Sequence, residues 1–183
     1  ITSRAQFDSF IDDDDASVVG CFGADDAPAF KDYGEMASKL AAEWRWAYVL
    51  DTELASELKL KRDSLYLFRS PRWLSSKYGD RARERFPGSR LNDEAAVPTW
   101  LLKKTQPLVG ELTPTHAQRY RALGLPVLVA FVNIDWEADP KGTGYFANRA
   151  RKVAQSHSKS LSVALGSLAT FEGELADFGL SAM

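Results

Sequence analysis

Apolar residues along this chain switch repeatedly between helical and strand spacing, and that alternation predicts an α/β architecture with a central mixed sheet. Phe7, Phe10 and Ile11 recur at helical spacing within Ser3 to Ile11, and the aspartates from Asp12 to Asp15 end the pattern. Ser17 to Phe22 is short, β-branched and aromatic, which reads as a buried strand with Cys21 inside it. Beyond Pro28, the residues Phe30, Tyr33, Ala37, Leu40, Ala41 and Trp44 mark one face of a helix opened by a proline. Trp46 to Leu50 reads as the next strand, Asp51 and Thr52 as the cap of a short helix through Leu54 and Leu58, and Leu65 to Phe68 as a further buried strand. Pro71, Gly79 and Asp80 punctuate an irregular stretch, after which Arg81, Arg83 and Arg85 alternate in a candidate edge strand ending at Phe86. A helix capped from Asn92 would turn Val97, Trp100 and Leu101 inward.

A second unit opens near Gln106 and Pro107, with a strand over Leu108 to Leu112 and a helix started by Thr113 and Pro114. Val127 to Ile134 is the most hydrophobic strand. A loop holding Asp139, Pro140, Lys141 and Gly142 then precedes a helix over Gly144 to His157, with Phe146, Ala150, Val153 and Ala154 as its inward face. Leu161 to Leu165 reads as one more strand, and Leu168, Phe171, Leu175 and Phe178 form the stripe of a last helix before Gly179. The predicted domains are therefore 1–106 and 107–183.

Composition narrows the function classes. The chain has 183 residues, 45% of them hydrophobic, enough for one large domain or two smaller ones. A formal charge of -2 gives no global drive toward nucleic acid, and the apolar runs fall short of the roughly 20 residues that insert in a bilayer. With one cysteine and two separated histidines, no cysteine cage or zinc spacing is present, so no metal and no cofactor is expected. Asp12 to Asp15 reads as a solvated turn or as a calcium site, although the glycine and alternating ligands of an EF-hand loop are missing. Cys21 reads as a sensor thiol or as a small hydrophobe inside a strand. No nucleophile signature accompanies the serines and histidines, so no catalytic residue is assigned.

Several separated segments resemble the non-catalytic b domain and part of the b' domain of the protein disulfide isomerase family. Asp14 to Phe22, reading DDASVVGCF, is similar to that family's second b-domain strand. Asp135-Trp136-Glu137, the run Pro140 to Arg149 and the run Thr170 to Leu180 are similar to the b' segments of the branch that works with lectin chaperones. The resemblance implies tandem thioredoxin-like domains, the second lacking its last two strands and final helix. Dithiol chemistry needs an attacking and a resolving cysteine, usually as C-x-x-C at a helix N-terminus. Asp26-Ala27-Pro28-Ala29 stands at that position, and Asp63 stands where redox members carry a proline.

The resemblance also implies a role: a redox-inactive scaffold and recognition region of an isomerase in the endoplasmic-reticulum lumen, taking part in oxidative protein folding. Two partners follow from it. The acidic arm of a lectin chaperone would dock on Lys141, Arg149, Arg151 and Lys152, beside Lys159, although Val163 replaces an aromatic contact of that branch and a solvated helix face is the alternative. Unfolded client chains would bind an apolar groove drawing on Leu112, Tyr120, Leu123, Phe171 and Phe178, which otherwise read as core. Competing readings are a calsequestrin-like calcium-binding protein and a single-cysteine thioredoxin-fold enzyme using Cys21.

Overall fold

The computed structural model describes residues 1–13, 15–88, 90–177 and 179. Cα packing divides the chain into two compact units, the first holding Ile1–Leu74 and Arg81–Thr105, the second Ser75–Asp80 and Gln106–Met183. Ser75–Asp80 and Gln106, which the sequence reading puts in 1–106, pack with the second unit.

In the first unit, helix α1 (Arg4–Ile11) starts where the Ser3 hydroxyl accepts the Gln6 amide. Strand β1 (Ser17–Cys21), helix α2 (Pro28–Leu40), strand β2 (Arg45–Val49), helix α3 (Thr52–Glu57) and strand β3 (Ser64–Phe68) follow. Strand β4 (Arg83–Arg85) is shorter than the alternating arginines suggested, and helix α4 (Ala96–Thr105) closes the unit. Asp93, rather than Asn92, caps α4 by accepting the amides of Ala95 and Ala96.

The sheet order is β2-β1-β3-β4, with β1 parallel to β2 and antiparallel to β3, and β4 antiparallel to β3. Because side chains alternate along each strand, the sheet feeds two cores. Val18, Leu65 and Leu67 pack with Tyr33, Met36, Val97 and Leu101 from α2 and α4. Val19, Cys21, Tyr66 and Phe68 pack with Phe7, Leu54 and Ala55 from α1 and α3. Each fully shielded aliphatic side chain of this kind contributes about 1.5–3 kcal/mol.

The second unit contains strand β5 (Val109–Leu112), helix α5 (Pro114–Ala122), strand β6 (Val127–Val132), helix α6 (Pro140–His157), strand β7 (Ser162–Ser167) and helix α7 (Glu172–Asp177). Its described strands run in the order β5-β7-β6, all parallel. At one edge, β6 leaves Leu128 and Phe131 exposed. Ser75–Asp80 ties into this unit through Asp80, whose carboxylate accepts the amides of Ser75 (3.1 Å) and Leu108 (2.9 Å). No described helix is long and apolar enough to cross a membrane.

Candidate functional site

Helix α6 begins a turn earlier than the sequence suggests. Asp139 accepts the Gly142 amide at 2.9 Å and Pro140 fills the first helical position, so the apparent loop is a helix N-terminus and Lys141 stands in its first turn. The preceding loop is fixed by the Thr143 hydroxyl, which donates to the Asp135 carbonyl and accepts the Asp135 amide.

The inward face of α6 differs from the expected one. Thr143, Ala147, Ala150 and Ala154 are buried, whereas Phe146 and Val153 are each 40% exposed. Small side chains let the helix approach its sheet closely, and the larger apolar groups are rotated outward. The outer face therefore carries Tyr145, 52% exposed, with the Arg149 guanidinium 4.6 Å from its ring centroid and Phe146 edge-on beside it. Lys141 and Lys152 are exposed on the same helix.

Arg151 departs from the basic set. It is buried, its guanidinium donates to the Asn148 side chain at 3.0 Å, and burial pulls its pKa down while the nearby Asp80 charge opposes that shift. It braces the inner side of α6 and presents no charge to a partner. What remains outside is a cationic and aromatic surface, suited to an acidic segment with apolar residues. Tyr145, Phe146 and Val153 belong to this surface although size alone marked the latter two as core.

The expected apolar groove is less coherent. Tyr120 is buried, with its phenol pushed up by desolvation, and a methyl group on Gly110 would stand 2.9 Å from its hydroxyl oxygen, so it packs on β5 as core. Leu112 and Leu123 are half-buried near that edge. Phe171 instead packs on Phe131 of β6, at the opposite edge of the sheet. Phe178 lies outside the described residues.

At the thioredoxin-type redox position, Ala27 and Pro28 open α2, and neither carries sulfur. Cys21 is fully shielded in β1 among Val49, Leu54 and Tyr66, and desolvation raises its pKa. A thiol kept neutral and enclosed in this way is a poor nucleophile. In the acidic run, Asp13 pairs with Arg45 at 2.7 Å and accepts the Asp15 amide; Asp14 lies outside the described residues. Val163 is buried in β7.

The family model of the thioredoxin-like domain matches residues 22–182. Protein disulfide-isomerase A3 of Gallus gallus is 28% identical over 185 residues, covering 98% of this chain and 35% of its own. Protein disulfide-isomerase A4 of Homo sapiens is 27% identical, covering 99% and 28%. The chain thus spans about a third of the length of these relatives. Among solved structures, the bb fragment of ERp72 superposes with a TM-score of 0.84 at 23% identity, over 100% of this chain and 79% of that one. Human ERp44 superposes with a TM-score of 0.63 at 16% identity, over 99% and 45%. The chain belongs to the thioredoxin-like domain family, and its sequence is similar to a segment of the protein disulfide-isomerases A3 and A4.

Proposed function

We propose that this chain is the redox-inactive scaffold and recognition region of an endoplasmic-reticulum protein disulfide isomerase that takes part in oxidative protein folding, organised as thioredoxin-like domains over 1–106 and 107–183. The observation that carries the reading is a thioredoxin-like sheet whose adjoining α2 N-terminus reads Asp26-Ala27-Pro28-Ala29, with the one cysteine shielded elsewhere. Such a domain holds client and chaperone surfaces in place, and thiol exchange falls to C-x-x-C domains of a longer protein.

Its partner surface is the outer face of α6, where Lys141, Arg149 and Lys152 take the acidic arm of a lectin chaperone, while Tyr145, Phe146 and Val153 supply apolar contact. Arg151 supports the helix from within. Client chains would meet the half-buried Leu112, Leu123 and Phe171 as separate apolar contacts rather than one groove. Charge reversal at Lys141 and Arg149 together should weaken binding of the acidic arm by at least about tenfold at low salt, measured by calorimetry. Unchanged affinity at low salt would remove the α6 docking face.

A further inference from the structure

A second cationic site is assembled in the first unit, on elements separate from α6. Residues 59–90 hold ten of the chain's 23 lysines and arginines against three of its 25 acidic residues, a local excess that the overall charge of -2 conceals. The fold gathers part of this excess around Tyr66. The Arg83 guanidinium lies 5.6 Å from the Tyr66 ring centroid, Arg85 is the cross-strand partner of Tyr66, and the Lys61 amide donates to the Tyr66 hydroxyl at 2.7 Å. Arg83 also donates to the carbonyls of Leu58 (3.1 Å) and Lys59 (3.4 Å), which fixes its charge beside the end of α3. Lys59, Lys61, Arg83 and Arg85 are exposed, and none forms an ion pair among the described residues.

The backbone is strained at the same place. The Lys59 amide reaches the Ser56 carbonyl and the Leu60 amide reaches the Ala55 carbonyl, so α3 ends in a Schellman motif with Lys59 in its left-handed position at φ 54°. Glycine is the residue that adopts this position without cost. A lysine there gives up conformational ease and adds a cation beside Arg83. Asp63, at φ 51°, is a second non-glycine residue in left-handed geometry in the same loop. Cations that outnumber the carboxylates beside them, Asp63 in the loop and Glu84 on β4, and that sit on a strained loop are a feature of binding sites rather than of stability.

We infer that Lys59, Lys61, Arg83 and Arg85 form a docking site for an extended Asp/Glu-rich segment of a protein partner, laid along the α3 end and β4. Charge complementarity selects the acidic class. A single-stranded nucleic acid would need exposed rings on which bases stack, and the ring at this centre, Tyr66, is 4% exposed.

The test is a fluorescence-anisotropy titration of the protein with labelled deca-glutamate, carried out in a Lys141→Glu/Arg149→Glu/Lys152→Glu background so that the cations proposed for docking on α6 do not contribute. Lys61→Glu/Arg85→Glu, at side chains with no described bonding role, should cut affinity at least about tenfold. Lys59→Gly should weaken binding by a smaller factor while raising the denaturation midpoint, because it removes both the charge and the strain. Equal affinity in all three proteins, or binding of heparin or an oligonucleotide without binding of deca-glutamate, would overturn the assignment.

Discussion

The thiol of Cys21 and the phenol of Tyr33 are enclosed on opposite faces of the first sheet, and burial raises the pKa of both. The Tyr33 hydroxyl donates to the Ala47 carbonyl at 2.6 Å, so its proton is held in place, while the thiol is shielded by apolar side chains. In each case the unfolded chain releases its proton first and binds fewer protons than the folded one, so stability falls as pH rises. The thiol contribution is complete below about pH 8.5 and is lost upward through the raised folded value. Urea midpoints across pH 7–10 should therefore decline in the protein, and Cys21→Val should decline less steeply; identical slopes would show that Cys21 does not titrate with unfolding. The strand around Cys21 was legible from its β-branched and aromatic residues, and the missing C-x-x-C from Asp26 to Ala29. The burial of Arg151 was not, since its long-range partner Asp80 lies 71 residues away in sequence and nothing local marks it as internal.

Among the elements, the starts of α1, α3 and α5 are legible because each cap acts within three residues: Ser3 on Gln6, Asp51 on Leu54, Thr113 on His116. Two features of helix α6, its start and its inward face, are hidden in the sequence for related reasons. Asp139-Pro140-Lys141-Gly142 has loop composition yet builds the first turn, and its apolar residues admit two neighbouring phases, one led by Phe146 and Val153, the other by Ala147 and Ala154. Size favours the first phase and close approach to the sheet favours the second. Asp139→Ala should cost about 1 kcal/mol in a denaturant titration, with Asp139→Ser recovering most of it. The same cap fixes Lys141 at the start of the proposed docking face, so on that proposal its loss should weaken binding of an acidic segment beyond the change in stability.

For the whole molecule, charge is distributed unevenly rather than in excess. The net charge of -2 gives no global drive toward polyanions, and the two cationic sites proposed for α6 and for the α3–β4 edge are local features that such an average hides. Their separation on different units would let acidic segments be engaged independently, with salt weakening both through screening. The repeat of strand and helix patterns is visible in the sequence, but the packing of Ser75–Asp80 with the second unit is not, because those residues carry no periodicity of their own.

That segment has a consequence for dissecting the protein. The chain passes from one unit to the other at Leu74, returns at Arg81 and leaves again at Gln106, so no single cut separates complete units. A fragment beginning at Pro107 would lack Asp80, and with it the acceptor of the Leu108 amide and a carboxylate whose charge favours the protonated Arg151. Such a piece should melt well below the same piece supplied with a peptide spanning residues 75–80, which restores the acceptor of the Leu108 amide. Equal melting temperatures in calorimetry would assign the segment no part in the second unit's integrity; a rescue would make it an interposed staple, inherited from one unit and required by the other.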